Sequence, residues 1–491
     1  MSGTITFPNY PTSNRVPGVF ADIDPSQANT ATANLRALLI LQRLTVGTAP
    51  AGTAVIVPGT GDAATLFGAG SQAAIAITHY RNLDTFGELW VLPVDDDEAA
   101  LAASGAIGMT GTPTGSGTIV FEIDGELVNV SYSAADAAAD ILGRIPAAMA
   151  KVPNIPVSAG AVAAGSLPLT ALNKGECGND ILLAISDTSS DYAADGLTIT
   201  LTQFTGGTVN PSAALPEALA TLGTRTFDFV GCPYLDASAL PALKEFWDDT
   251  TGRWSWEQEL FGHVFSARRG TLGDAATFGA SVNNQHLTVM PIFDSPHSPV
   301  RWLAEITAGV AVKCRADPGI PITQVALTVS PPSDANRPTF SEQNTLLYEG
   351  LSVFSVADDD TVSILRLITT YQENAAGLPD NSYLDAETMN QLAYVIRDLR
   401  AFQAPYLTRK LVSDSTAIPA GSQAINAPVV KQALISRYRQ LETEGYVQNS
   451  GNFAAGIVVQ NAGGGQLREL LPIDVVNQVR DVPMLIQFRK S

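Results

Sequence analysis

The chain has 491 residues, 45% of them hydrophobic, and a formal net charge of −20. The length predicts about three domains, and the apolar content excludes global disorder. The charge argues against nucleic acid as a partner, and no apolar run reaches the roughly 18 residues of a membrane span.

The opening is extended in character. Thr4-Ile5-Thr6-Phe7 alternates, and Pro8, Pro11 and Pro17 exclude helix nearby. Val16-Pro17-Gly18-Val19 reads as a turn feeding an extended Phe20-Ala21-Asp22-Ile23, an arm if it is ordered. Without a basic region ahead of an apolar block, no signal peptide is expected. An α/β alternation follows. Residues 33–44 predict a helix with Leu35, Leu38, Leu39 and Gln42 near one face, 54–57 a short strand, 71–83 a helix, and 89–94 a buried strand.

Composition shifts over residues 106–210, which carry 3 basic against 10 acidic residues and are rich in Gly, Thr, Ala and Val. Residues 118–130 predict a hairpin turning at Asp124-Gly125. A helix follows over 133–150 with Ser133 as N-cap, then strands at 179–186 and 197–204. The α/β pattern resumes with strands at 227–233, 263–266 and 286–290 and helices at 237–248 and 301–315. A second hairpin, residues 350–370 around Asp358-Asp359-Asp360, opens the last domain. Helices are expected from Asp385 to residue 402 and from Pro428 to residue 444, then strands at 456–460 and 470–479.

Val482-Pro483-Met484-Leu485-Ile486-Gln487-Phe488 reads as a terminal strand with Met484, Ile486 and Phe488 on one face. Burying those three side chains supplies ~5–9 kcal/mol, against ~7–14 kcal/mol for ordering seven backbone residues. Such a strand needs a preformed edge, in its own sheet or in another subunit.

No catalytic constellation stands out. Gly59-Thr60-Gly61-Asp62-Ala63-Ala64 is a degenerate dinucleotide fingerprint interrupted by Pro58 and reads as a turn. Asp294-Ser295-Pro296-His297 holds hydrolase residue types in adjacency, which rarely brings nucleophile and base together. The histidines at 79, 263, 286 and 297 lack zinc-ligand spacing, and the acidic runs lack the pattern of a calcium loop. Cys177, Cys232 and Cys314 suggest a reducing compartment without disulfides. No enzyme activity, metal or cofactor is expected. Residues 1–350 hold 16 basic against 34 acidic residues, and residues 351–491 hold 12 against 14, as expected if the last third faces a partner.

Several segments together resemble the tail sheath proteins of Mu-type contractile phages. They include Arg15-Val16-Pro17-Gly18-Val19-Phe20, Gly87-Glu88-Leu89-Trp90-Val91-Leu92-Pro93 and Arg269-Gly270-Thr271-Leu272. The densest match runs from Ile368-Thr369-Thr370-Tyr371-Gln372-Glu373-Asn374 through Tyr383-Leu384-Asp385, and Leu485-Ile486-Gln487-Phe488 is similar to the family's terminus. The resemblance implies an α/β sheath core (31–105 and 211–349), an inserted β-rich outer domain (106–210), a C-terminal α+β domain (350–481), and arms at 1–30 and 482–491. It implies six-fold rings stacked around a tail tube, contraction on a baseplate signal, and contacts with tube, baseplate and terminator proteins. The protein would reside in the virion tail after assembly in the host cytoplasm. Inter-subunit contacts would fall on Val16, Val19, Phe20, Ile23, Met484, Leu485, Ile486 and Phe488, with Lys431, Arg437 and Arg439 facing the tube. A phage-derived injection device is the nearest alternative, and a surface-layer lattice protein a more distant one.

Overall fold

A computed structural model describes residues 35–186, 196–419 and 421–490. At its centre is a six-stranded sheet in the order Leu287–Phe293, His263–Arg269, Phe229–Gly231, Ala37–Gln42, Leu89–Val94 and Val55–Ile56. The first five strands are parallel, and Val55–Ile56 pairs antiparallel at the edge. A parallel strand covered on both faces is apolar at nearly every position. Ala37–Gln42 is buried from end to end, so the helix expected over 33–44 is instead a central strand. Leu35, Leu38, Leu39 and Gln42 sit at helical spacing, but Ile40 and Leu41 between Leu39 and Gln42 are also fully buried, which leaves no polar face.

Gln72–Leu83 is a helix capped by Ser71, whose Oγ accepts from Ala74 N at 3.1 Å. It packs against the Pro299–Ala316 helix.

Residues 103–204 bury a second core of their own. Its two sheets are Leu197–Thr205, Ser104–Gly111, Ser166–Ala171 and Val157–Ala159, and Glu126–Tyr132, Gly117–Ile123 and Leu183–Ile185. The Ala138–Met149 helix packs against both. It starts later than expected, because Ser133 enters a turn instead of capping it, with its N–H on Asp136 Oδ2 at 2.8 Å. The strand expected over 179–186 shrinks to Leu183–Ile185 after a 3-10 turn at Glu176–Asp180.

The hairpin Val353–Val356 and Val362–Arg366 forms, joined by Val325–Leu327. It was expected to open the last domain, yet Phe354, Val362 and Ile364 are buried in the central core. The third core begins further on, with Val395, Leu399, Val430, Leu434, Tyr438 and Phe453. The Ala386–Gln403 helix bridges the two, with Ala386 in the central core and Leu399 in the last. Arg397 on this helix pairs with Asp228 at 2.5 Å and Arg400 with Glu259 at 2.5 Å. Burial pushes the Asp228 carboxyl up.

Two late strand expectations change. The hairpin is Val458–Gly463 with Gln466–Leu470, and residues 471–479 run on as a strap whose one bridge joins Val475 to Val447. Residues 481–490 form no strand.

Candidate functional site

The terminal apolar segment lies on the outside of the folded body. Val482, Met484, Leu485, Ile486 and Phe488 are between 71% and 89% exposed. They pair with no strand among the described residues, so their strand propensity is unused. Val16, Val19, Phe20 and Ile23 lie outside the described residues.

The strap leading to this segment is held firmly. Asp474 is its hub: its N–H donates to Tyr438 Oη at 3.0 Å, its carbonyl accepts from Gln448 N at 2.9 Å, and its carboxylate accepts from Asn449 Nδ2 at 2.7 Å. Gln391 Nε2 donates to Val476 O at 3.0 Å, and Gln478 Nε2 to Gly319 O at 3.3 Å. Arg480 Nη2 meets Asp385 at 3.0 Å and Glu387 at 3.1 Å. Glu387 is fully buried, which pushes its carboxyl up.

The three cations on the Ala427–Thr443 helix do not share a face. At 100° per residue Lys431 and Arg439 lie about 80° apart, whereas Arg437 points about 120° or more from either. Arg437 is committed within the subunit: Nε donates to Asp398 Oδ2 at 2.8 Å and Nη1 to Gln440 at 2.9 Å. The hydrogen-bonded Asp398 carboxylate raises its pKa further. Lys431 is half-buried and Arg439 exposed, and neither has an ion pair among the described residues.

The hydrolase-type residues each bond to neighbouring segments of the chain and not to one another. Ser295 Oγ donates to Ser330 O at 2.7 Å and accepts from Trp302 Nε1 at 2.9 Å. His297 Nδ1 accepts from Ser330 N at 2.7 Å, and Asp294 accepts from Ser333 and Asn336. Burial pushes the His297 imidazole down to about 3. His263 is likewise held near 3 by burial, with Nε2 on Thr288 Oγ1 at 2.7 Å. The Gly59 segment is a 3-10 turn, Thr60–Asp62, running into a five-residue helix.

One constellation escaped sequence reasoning. The Asp124-Gly125 turn enters a buried polar network at the start of the Pro299–Ala316 helix. Asp124 accepts from Ser298 N and Arg301 Nε, both at 2.8 Å. Arg301 Nη1 also reaches Glu126 at 2.6 Å and His79 Nε2 at 2.7 Å. With Nε2 accepting, the imidazole proton sits on Nδ1 and faces Glu305 at 2.7 Å. Asp124 and Arg301 are each 1% exposed, so this is a desolvated latch between the second core and the first. The Asp-Gly pair signalled a turn; its partner 177 residues away had no local signal.

A family model described as the phage tail sheath protein central domain matches residues 202–370, a span that takes in the second hairpin. The Mu-like prophage FluMu tail sheath protein of Haemophilus influenzae is 30% identical over 490 residues, covering 99% of both chains. The sheath tail protein of Desulfitobacterium hafniense superposes with a TM-score of 0.50 at 11% identity, over 94% of this chain and 97% of that one. A chain in the anti-feeding prophage baseplate gives 0.50 at 14% identity, over 97% and 99%. At such low identity these two structures establish a shared fold.

Proposed function

Because this chain belongs to the phage tail sheath protein family, we propose that its copies polymerise as stacked six-fold rings around a tail tube and contract to drive that tube through a host envelope. The observation that carries this reading is the exposed apolar run Met484–Phe488 at the end of a strap bonded to the body. An apolar strand without an edge is completed by an edge on another copy. The Val458–Leu470 hairpin suits the acceptor role. A two-stranded hairpin is marginal alone, and Val458 and Leu470 are exposed. Added strands from neighbours, including the arm carrying Val16, Val19, Phe20 and Ile23, would build it into a larger sheet. Each arm contributes little, and many linked copies supply avidity.

In this reading the 103–204 unit faces outward and the C-terminal unit inward. Lys431 and Arg439 contact the tube, while Arg437 braces its helix. Baseplate and terminator proteins meet the two ends of the polymer, and assembly proceeds in the host cytoplasm. The mechanism is mechanical, driven by new subunit contacts as bodies reorient around connected arms. Electron microscopy of concentrated protein should show hollow helical tubes with six-fold rings. Persistent monomers under every assembly condition would reject the reading. Removing residues 482–491 should leave a folded, assembly-deficient monomer, whereas gross misfolding would place the strand in its own sheet. Reversing charge at Lys431 and Arg439 without any effect on tube decoration would reject the tube-facing assignment. A sheath in an injection device is the second reading, and the same arms would serve it.

A further inference from the structure

We infer that Arg480 is the pin at the root of the C-terminal arm, and that it holds the acceptor edge of the neighbouring copy within a short, fixed reach. The inference rests on the sheath reading above. Upstream of Arg480 the strap is bonded at Asp474, Val476 and Gln478. Arg480 itself bridges two carboxylates: Asp385, which Arg366 also holds at 3.0 Å, and the fully buried Glu387. Residues 481–490 beyond it are exposed.

The first apolar arm residue, Met484, comes four residues after the pin. Extended chain spans at most ~3.3–3.6 Å per residue, so Met484 reaches about 13–14 Å from Arg480. Val482-Pro483 keeps this tether extended, because proline fixes its own φ and biases the preceding residue towards β. The acceptor edge must therefore lie within that distance of the donor's Arg480. Arg480 is a positioning residue that acts through the tether. Releasing it moves the last hold back to Gln478, which lengthens the tether by two residues, about 7 Å.

That equivalence gives the test. Deleting Asp481 and Val482 shortens the tether by about 7 Å and keeps the side-chain register, because strand faces alternate with period two. In the full-length chain the deletion should lower the polymer fraction, read by sedimentation and electron microscopy, at least tenfold. Adding Arg480→Ala should restore most of it. Glu387→Gln is included to avoid an orphaned buried carboxylate. A deletion that assembles normally, or a combined variant that is folded yet no better than the deletion, overturns the pin. Failure of the unaltered chain to polymerise at all is a separate outcome that overturns the sheath reading too. Hydrogen exchange on the unassembled protein is a further check. Protection should end at Val476, whose N–H donates to Tyr446 O at 3.4 Å, because residues 477–480 are held through side chains. Protection of 481–490 in the monomer would also overturn the inference.

Discussion

Asp124→Ala should weaken the coupling between the second core and the first. The carboxylate accepts two buried hydrogen bonds, from Ser298 N and Arg301 Nε, each at 2.8 Å. Bonds involving a charged group are worth ~1.5–3 kcal/mol each, which gives a cost of about 3–6 kcal/mol. Breaking a buried ion pair from one side independently suggests ~3–5 kcal/mol, because the remaining charge stays desolvated. Arg301 keeps Glu126 as a partner, which argues for the lower half of the range. The assay is urea unfolding followed by two signals. All five tryptophans, at 90, 247, 254, 256 and 302, lie outside the 103–204 unit, so fluorescence follows the central core while circular dichroism follows both. In the Asp124→Ala protein the two transitions should separate, with the second core melting first. A double-mutant cycle with Arg301→Met should return a coupling of ~0.5–3 kcal/mol, as expected of residues in direct contact. Coincident transitions and additive single effects would refute the latch.

Other outcomes follow from the same geometry. His263 is held neutral down to about 3, so between that pH and the unfolded value near 6.5 the unfolded chain binds a proton the folded chain refuses. Stability from this group is full above pH ~6.5 and lost as pH falls, at about 1.4 kcal/mol per pH unit; His263→Gln should flatten the pH dependence of the urea-unfolding free energy between pH 4 and 6 by that amount, and an unchanged slope would exclude it. Gly125→Ala should destabilise by about 2 kcal/mol or more in thermal unfolding, because φ is 79° and an added Cβ would lie 2.1 Å from His297 Cδ2. Tyr438→Phe removes the hydroxyl that bonds Gln448 O at 2.9 Å and Asp474 N at 3.0 Å. It should cost ~1–3 kcal/mol and raise hydrogen exchange in the strap, with the Tyr438–Phe453 ring stack retained.

Local chemistry explains which elements were legible. The Asp124-Gly125 hairpin was visible because few dipeptides accept positive φ at both turn positions. The helix beginning after Asp385 and the helix with Pro428 in its first turn carried their starting signals within one turn of chain. The strand at Ala37–Gln42 carries no strand signature, because two-sided burial erases the alternation that marks one. The second hairpin packs on the central core without a local signal, because its own pattern is the same whichever core receives it.

The order of many short segments carries the family likeness, and composition carries the acidic bias of the first two thirds and the apolar character of the terminal arm. Each is a property of composition or of near neighbours along the chain. The tertiary structure alone decided that Asp124 meets Arg301, that Arg437 is committed to Asp398 while Lys431 and Arg439 are not, and that the chain is held as far as Arg480 and exposed beyond it. Those outcomes depend on which charges are desolvated together across long separations. Desolvation is a property of the packed body, and it leaves no mark on either stretch of sequence read alone.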